Sequence, residues 1–369
     1  MKKSIILAIV FLAVFINCNA NIRRVGYNGI PLAGVDYSDF NSALNASSNG
    51  DTIQIYGGSH FGGYTAITKR LVIMGFGYNL DAHSNLQVNN TNTPSILQLG
   101  YYCRFDIGSE GSKLEGLYLN DTYINTSDIT ISRCWLQDVK INLQDRTINN
   151  TKVISSTINS FYQYGSNYSC TNLLISNCLF YSINFGSLSQ ASSVFILNCN
   201  GLAGYNDTWG PNYYTGTFNV GSAGNLVKNC IMYNYNASCP NTVYENNVFY
   251  VATPSPQPLG SNNKWGNPYY STYNRLGQMT DDNLLANYII FTDQLNEEWY
   301  TLKTGSVAIN GGFDAANNPT DCGMYGGELA YRYKLGGLPA VPSIYKLTAP
   351  GSAAIAAPYN ITISAKSNN

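Results

Sequence analysis

Two aspartates with a lysine nearby are the side chains best suited to acid–base chemistry. Asp121 and Asp138 each follow, by four residues, the same position of a repeated motif, and Lys140 comes two residues after Asp138. Neighbouring carboxylates serve as general acid and base, and a lysine can abstract a proton. Asp121 and Asp138 are therefore the catalytic candidates. The alternative is two solvated turn carboxylates, because later repeats carry Ser160 and Ser182 at that position.

A loop rich in aromatic residues is the second candidate site. Residues 204–216 read GYNDTWGPNYYTG and fall in the longest interval of the repeat. Flat rings beside amides and carboxylates are typical of sugar-binding surfaces. We therefore predict a substrate-binding surface formed by Asp207, Trp209, Tyr213 and Tyr214. The alternative is that these rings pack back onto the body of the protein.

The composition disfavours several other kinds of site. His60 and His83 are the two histidines of the chain, so a serine or cysteine triad cannot be assembled, and neither stands in a metal-ligand spacing. We therefore predict no metal and no cofactor. A net charge of −1 gives no electrostatic reason to expect nucleic acid as a partner. Charged residues make up only 11% of the chain, so amides and hydroxyls must solvate most of its surface.

A repeat with a usual spacing of 22 residues organises the middle of the chain. Its units share one position, which is occupied in order by Leu117, Cys134, Ser156, Cys178, Cys199, Cys230 and Asn247. Each unit holds two short apolar strands around a polar pair, a pattern that is a poor candidate for helices. If each unit winds once around an axis, equivalent residues stack about 4.8 Å apart as neighbours in a parallel sheet. The repeat therefore predicts an all-β solenoid.

The residue just before the shared position indicates a tight bend. It is Arg133, Ser155, Asn177, Asn198, Asn229 and Asn246 in successive units. Asparagine tolerates the left-handed conformation, and its amide can bond to its counterpart one coil away. The pattern resembles the asparagine ladder of the pectate-lyase-like superfamily. This resemblance implies a single-stranded right-handed parallel β-helix, on which some members are polysaccharide lyases or glycoside hydrolases.

The residue after each bend is expected to face inward, so that four cysteines line one internal stack. We interpret Cys134, Cys178, Cys199 and Cys230 as small buried apolar side chains. Neighbouring coils place Cα atoms within disulfide range, so a Cys178–Cys199 bridge is the alternative.

Both ends of the coil carry recognisable segments. Residues 39–46 predict a short amphipathic capping helix, with Ser38 or Asp36 as its N-cap and the first strand after it at 52–56. At the other end, residues 299–328 resemble the closing segment of the same superfamily.

The ends also suggest the domain boundaries. Residues 252–287 predict an irregular excursion over the coil surface. We predict a β-helix domain at 21–338 and a short C-terminal β tail at 339–369.

The first 20 residues have the pattern of a signal peptide. Lys2 and Lys3 form a basic start, residues 5–16 an apolar run, and Cys18 to Ala20 a small-residue cleavage site. No later segment approaches the roughly 20 apolar residues of a membrane-spanning helix. We predict cleavage after Ala20 and a bacterial protein that is secreted or held at the cell surface. The alternative is a lipoprotein acylated at Cys18.

Three functions are consistent with this sequence. The first is a non-catalytic structural or adhesive protein that presents a long surface to polysaccharide or cell-surface glycan. The second, implied by the resemblance, is a polysaccharide lyase or glycoside hydrolase. The third is self-association, since β-helix ends can stack if their caps are displaced.

Overall fold

The computed structural model describes residues 20–26, 34–59, 65–78, 95–96, 103–141, 147–163, 169–185, 192–201, 204–205, 213–214, 218–219, 224–232, 242–249, 259–265, 301–302, 306–348 and 361–367. Within these ranges, every helix is too short or too polar to cross a membrane.

Short strands make up most of the described chain. The first ten are β1 (Ile22–Val25), β2 (Thr52–Ile55), β3 (Gly58–Ser59), β4 (Thr65–Ile67), β5 (Val72–Met74), β6 (Ser95–Ile96), β7 (Cys103–Phe105), β8 (Lys113–Glu115), β9 (Tyr118–Ile124) and β10 (Thr130–Ser132). The next ten are β11 (Trp135–Ile141), β12 (Ile148–Asn149), β13 (Lys152–Ile154), β14 (Thr157–Gln163), β15 (Cys170–Ser176), β16 (Leu179–Asn184), β17 (Ser192–Leu197), β18 (Asn200–Gly201), β19 (Gly204–Tyr205) and β20 (Tyr213–Tyr214). The remainder are β21 (Phe218–Asn219), β22 (Asn225–Lys228), β23 (Ile231–Met232), β24 (Thr242–Glu245), β25 (Val248–Phe249), β26 (Lys264–Trp265), β27 (Gly312–Phe313), β28 (Pro319–Thr320), β29 (Ser343–Thr348) and β30 (Thr362–Lys366). Helix α1 spans Phe40–Ala46, and a 3-10 turn spans Leu335–Gly337.

Two long parallel sheets are built from these strands. Sheet A has the order β1-β2-β5-β8-β10-β13-β15-β17-β22-β24, with β12 also beside β15. Sheet B has the order β3-β6-β9-β11-β14-β16-β18-β23-β25-β26, with β7 also beside β9, β4 beside β7 and β21 beside β16. Neighbours in a sheet are successive repeat units, since Thr130 pairs with Lys152 and Lys152 with Leu174. Each unit thus adds a strand to both sheets. The chain is a parallel β-helix, as the repeat predicts.

The inside of the coil is filled by stacked apolar rows. Val139, Phe161 and Ile183 pair in register on three adjacent strands of sheet B, and each is completely buried. Burying one such side chain stabilises the fold by about 1.5–3 kcal/mol. The repeat therefore carries its own core from coil to coil.

The shared position of the repeat faces inward, as predicted, and the cysteines in it are free thiols. At several of these positions the backbone N–H donates a hydrogen bond to the side chain at the same position of the following coil. Cys178 N–H donates to Cys199 Sγ, and Cys199 N–H to Cys230 Sγ, both at 3.4 Å. Cys134 N–H donates to Ser156 Oγ at 3.1 Å. Hydrogen bonds therefore hold this row, and the alternative Cys178–Cys199 bridge is not formed.

Each coil bends at two corners through residues with positive φ. One row, the strap corner, contains Arg133, Ser155, Asn177, Asn198, Asn229 and Asn246, with φ from 51° to 57°. The second row, the open corner, contains Asp128, Asn150, Asn172, Ser193 and Gly224, with φ from 54° to 69°. The left-handed conformation predicted for the first row is therefore confirmed, although for a residue other than glycine it costs about 1–2 kcal/mol.

Residues 306–340, which we call the strap, lie along the strap corner. Backbone carbonyls of the strap accept hydrogen bonds from the side chains of successive coils. Asn229 Nδ2 donates to Phe313 O at 2.8 Å, and Asn177 Nδ2 donates to Met324 O at 2.9 Å and Gly326 O at 2.7 Å. Further along, Asn198 bonds Asp321 O at 3.3 Å, Ser155 bonds Arg332 O at 3.0 Å and Arg133 bonds Leu338 O at 3.1 Å.

The strap corrects the predicted asparagine ladder. At the strap corner most of these side chains bond to strap carbonyls, because those carbonyls lie against the corner and need donors. Amide-to-amide bonds of the predicted kind join Asn262 to Asn246 at 3.2 Å and, at the open corner, Asn172 to Asn150 at 3.4 Å. Asn150 in turn donates to Asp128 at 3.0 Å.

The strap also covers outward side chains at the start of the sheet B strands. Leu179, Ile231 and Val248 stack there and form a second apolar cluster with Ala308 and Met324 of the strap. One region of the outer surface is thereby converted into a core.

The first coil begins earlier than the sequence predicts. β1 pairs with β2 in sheet A, and α1 packs against both. The N-cap of α1 is Asp39, whose carboxylate accepts Ser42 N–H at 2.8 Å. The predicted N-caps, Ser38 and Asp36, are therefore wrong, and Asp36 instead accepts Arg24 N–H at 2.9 Å. That α1 closes the end of the coil stays a prediction.

Part of the predicted excursion is a further coil. Leu259 bridges Val243, and β26 pairs in parallel with β25. The rest of 252–287 lies outside the described residues. In the predicted tail, β29 and β30 form an antiparallel pair.

Candidate functional site

Four strands of sheet B place the candidate carboxylates in one outward-facing row. β9, β11, β14 and β16 pair in register, so Asp121 lies opposite Asp138, which lies opposite Ser160 and then Ser182. A second outward row, two residues further along each strand, contains Tyr123, Lys140, Tyr162 and Asn184. The residues between the rows point into the core. The two rows therefore form a polar and aromatic patch on the face of sheet B, which we call the sheet B patch.

Lys140 is the centre of the sheet B patch. Its Nζ lies 3.1 Å from Asp121 Oδ1 and 3.7 Å from Asp138 Oδ2, and it donates to Tyr123 Oη at 3.3 Å. The same nitrogen lies 5.0 Å from the ring centroid of Tyr123 and 5.7 Å from that of Tyr162. Lys140 is only 9% exposed. The structure thus brings both predicted carboxylates together, with an ammonium group between them.

The charges of the patch alter each other's pKa values. Burial alone would lower the pKa of Lys140, but hydrogen bonds to Asp121, Tyr162 and Tyr123 outweigh burial and raise it. Burial raises the pKa of Asp138, and the attraction of Lys140 opposes that rise only partly because Asp121 repels a second negative charge. Lys140 is therefore a cation at neutral pH, and Asp138 holds its proton more tightly than an ordinary aspartate.

This arrangement limits the chemistry that the patch can perform. A proton-abstracting lysine must be neutral, whereas Lys140 is protonated and paired. A cation such as Ca²⁺ would have to displace the ammonium that already neutralises the two carboxylates. Within the described residues there is no group of three or more His, Cys, Asp or Glu that could hold a metal ion.

Sequence reasoning missed the two tyrosines of the patch. Tyr123 and Tyr162 stand two residues after Asp121 and Ser160, so the same repeat that aligns the aspartates also aligns them. The row continues to Arg104, which pairs with Tyr123 and forms an ion pair with Asp106 at 2.7 Å. Cations and aromatic rings thus alternate from coil to coil.

The predicted aromatic loop is described only in part. Asp207 and Trp209 lie outside the described residues. The backbone of Tyr213 and Tyr214 forms β20, which pairs antiparallel with β19 so that Tyr205 lies opposite Tyr213. The sugar-binding role of this loop stays a prediction.

A cleft of about 230 Å³ separates the strap from the outer face of sheet A. Its floor carries Leu174, Leu197 and Leu226, and Glu328 and Tyr331 line it from the strap. This floor is aliphatic, and polar side chains such as Lys228, Asp314 and Glu328 stand around it.

The sequence matches no family model and no curated protein. Among solved structures, the chain is similar to pectate lyase Pel9A, with a TM-score of 0.45 and 13% sequence identity. The alignment covers 84% of this chain and 97% of that one. Pectate lyase activity is a property of Pel9A.

Proposed function

We propose that the chain is an exported, non-catalytic β-helix protein of a structural or adhesive kind that binds polysaccharide on the sheet B patch. The observation that carries the proposal is the position of Lys140 between Asp121 and Asp138. Both carboxylates are engaged by one buried ammonium, which favours a structural over a catalytic role for them. Hydroxyl, amide and aromatic side chains surround them on the same outward face of sheet B.

The composition of the patch supports sugar binding. Hydroxyls of Ser160 and Ser182 lie on adjacent parallel strands, about 4.8 Å apart, and the amide of Asn184 lies two residues beyond Ser182 on the same strand. Tyr162 adds a half-buried ring at the edge of the polar rows. Hydrogen-bonding groups beside an aromatic face suit the polar edges and apolar faces of a pyranose.

The charge of the patch points to a neutral polysaccharide. Two carboxylates against one ammonium leave the cluster around Lys140 negative. A polymer of acidic sugars would be repelled there, whereas a neutral glycan would not. Neutral glycans should therefore bind more tightly than polygalacturonate.

A binding assay with single variants tests this proposal. We expect Tyr162→Ala to weaken binding of the protein to the neutral polysaccharide that the wild type binds best by about tenfold, equivalent to about 1.4 kcal/mol. Tyr162→Phe should weaken this binding less. Affinity electrophoresis through gels containing neutral or acidic polysaccharides measures the effect. Gln54→Ala, on the outward face of sheet A, is the matched control. If no polysaccharide retards the wild-type chain, or if Tyr162→Ala and Gln54→Ala behave alike, the proposal fails.

The raised pKa of Asp138 favours a second candidate, glycoside hydrolysis. A carboxyl group whose pKa is raised next to a second carboxyl group is the usual general acid of such enzymes. Reducing-end release from a polysaccharide panel measures this activity. Activity that disappears in Asp138→Asn and persists in Gln54→Ala would establish the enzyme and overturn the non-catalytic proposal.

A further inference from the structure

A buried carboxylate, Asp51, lies against the residue that follows the predicted cleavage site. Asp51 is completely buried and immediately precedes β2. Its Oδ1 accepts the backbone N–H of Asn21 at 2.9 Å. Its Oδ2 accepts Arg23 Nε at 2.8 Å and Ser48 N–H at 2.9 Å. The first nitrogen after the predicted leader is therefore one of three donors to this carboxylate.

The fold fixes the position of that nitrogen. Asn21 O accepts the N–H of Thr52 at 2.8 Å, and β1 continues directly from Ile22 in register with β2. Asn21 is thus held from both sides by residues of the first coil. Ala20 and Asn21 are exposed and outside regular secondary structure, so the bond between them is open to solvent.

We propose that Asp51 binds the mature amino terminus. A leader peptidase would add water across the Ala20–Asn21 amide, so that Ala20 leaves as a carboxylate and Asn21 keeps the amine. That amine takes up a proton and becomes an α-ammonium, 2.9 Å from Asp51 Oδ1. Processing would thereby replace a neutral amide donor with a cation and complete an ion triad of Asn21, Asp51 and Arg23.

The surrounding charges are consistent with such a triad. Arg23 Nη1 donates to Tyr37 Oη at 2.7 Å, so the guanidinium is anchored on both sides. The ammonium of Lys69 lies at the end of α1, where it donates to Ser47 O at 2.8 Å. Asp51 itself has a lowered pKa: burial would raise it, but the bonds from Asn21, Ser48 and Arg23 outweigh burial. A second cation is therefore received by a carboxylate that is ionised at neutral pH.

This inference rests on the proposed export but not on polysaccharide binding. The first test is amino-terminal sequencing of the full chain after expression in an exporting bacterium, and we expect Asn21 as the first residue. An uncleaved chain would overturn both export and this inference, and leave polysaccharide binding to its own assay. A first residue other than Asn21 would overturn the inference alone.

The second test removes only the charge of the new terminus. The mature chain is compared with the same chain acetylated on its α-amino group, which restores an amide N–H at Asn21. A carboxylate partner raises the pKa of an amine above its unfolded value of about 7.7–8.0, so the added stability is present below that pH and lost above the raised value. For a rise of about one unit, the unfolding equilibrium constant at pH 7 should be about tenfold smaller than in the acetylated chain.

Urea unfolding between pH 6 and pH 10 measures the difference in stability between the mature chain and the acetylated chain. This difference should vanish near pH 10. Competitive acetylation gives the pKa of the α-amino group directly, and it should return to about 7.7–8.0 in Asp51→Asn. If Asp51→Asn does not fold, competitive acetylation of the wild-type chain alone still measures the α-amino pKa and so tests the proposal. Equal stability of the two chains at every pH, or an unshifted α-amino pKa, would overturn the proposal.

Discussion

The two corners of the coil use the same backbone conformation with different partners. Asn177 at the strap corner is buried and donates to two carbonyls of a segment that lies about 150 residues away along the chain. Asn172 at the open corner is exposed and donates to Asn150, one coil away. Both have φ near 54°. The bend therefore favours asparagine for its backbone conformation. The segment that covers the corner, or its absence, determines which group the amide forms a hydrogen bond with.

Two glycines with positive φ allow the sharpest comparison of the corners. A Cβ on Gly327 of the strap would lie 2.8 Å from Asn198 Cγ, whereas one on Gly224 at the open corner meets nothing closer than 3.7 Å. We expect Gly327→Ala to lower the free energy of unfolding by about 3–5 kcal/mol, from backbone strain and overpacking. Gly224→Ala should lower it by about 1–2 kcal/mol, from strain alone. Chemical denaturation measures both changes in the free energy of unfolding. Equal changes would mean that the strap moves to accommodate the added Cβ.

The amides themselves give the next largest contrast. We expect Asn177→Ala to lower the free energy of unfolding by about 3 kcal/mol, because Met324 O and Gly326 O lose their donor in a buried site. Asn172→Ala should lower it by about 1 kcal/mol, since water replaces the lost partner. Asn177→Gly keeps the backbone conformation accessible and so isolates the hydrogen bonds. If Asn177→Gly were as stable as the wild type, the strap would not depend on this amide.

Asp121 and Asp138 allow an experiment in which a substitution should increase stability, because these two residues place like charges on adjacent coils. Asp138→Asn creates an amide beside a carboxylate, as in the bond from Asn150 to Asp128. The raised pKa of Asp138 means that the folded state holds this proton more tightly than the unfolded state, so its ionisation lowers stability as pH rises through the raised value.

We therefore expect a small gain of stability for Asp138→Asn at pH 7 that shrinks as the pH falls toward about 4. Denaturation curves at several pH values measure it, with Asp128→Asn as the control. A loss of stability at pH 7 would show that the attraction between Asp138 and Lys140 exceeds the repulsion from Asp121.

The repeat made much of the fold predictable. A residue of one coil meets its own counterpart in the next, so spacing alone aligns the cysteine row and the left-handed corner. The open corner was within reach of the same reasoning, because Asp128, Asn150 and Asn172 begin three of the aligned units. Tyr123 and Tyr162 of the sheet B patch follow the same spacing.

The strap could not be predicted in the same way. Nothing in the sequence around Asn177 specifies that residues near Met324 will cover it, because that contact does not follow the repeat. The same holds for β1, whose position depends on Asp51 in another segment. For Lys140, the sequence indicates its place in the row, but its raised pKa depends on hydrogen bonds to side chains of the neighbouring coils, which outweigh its burial.

The inward row of hydrogen bonds gives the stack a direction. Each N–H is accepted by the coil that follows, through Cys199, Cys230 and Asn247 up to Asn263. The stack is therefore not equivalent at its two ends. Loss of coils from the amino-terminal side leaves a side chain without a donor, whereas loss from the carboxyl-terminal side leaves a buried N–H without an acceptor, which proteins tolerate less well. A shortened β-helix built from this chain should be trimmed from its first coil rather than from its last.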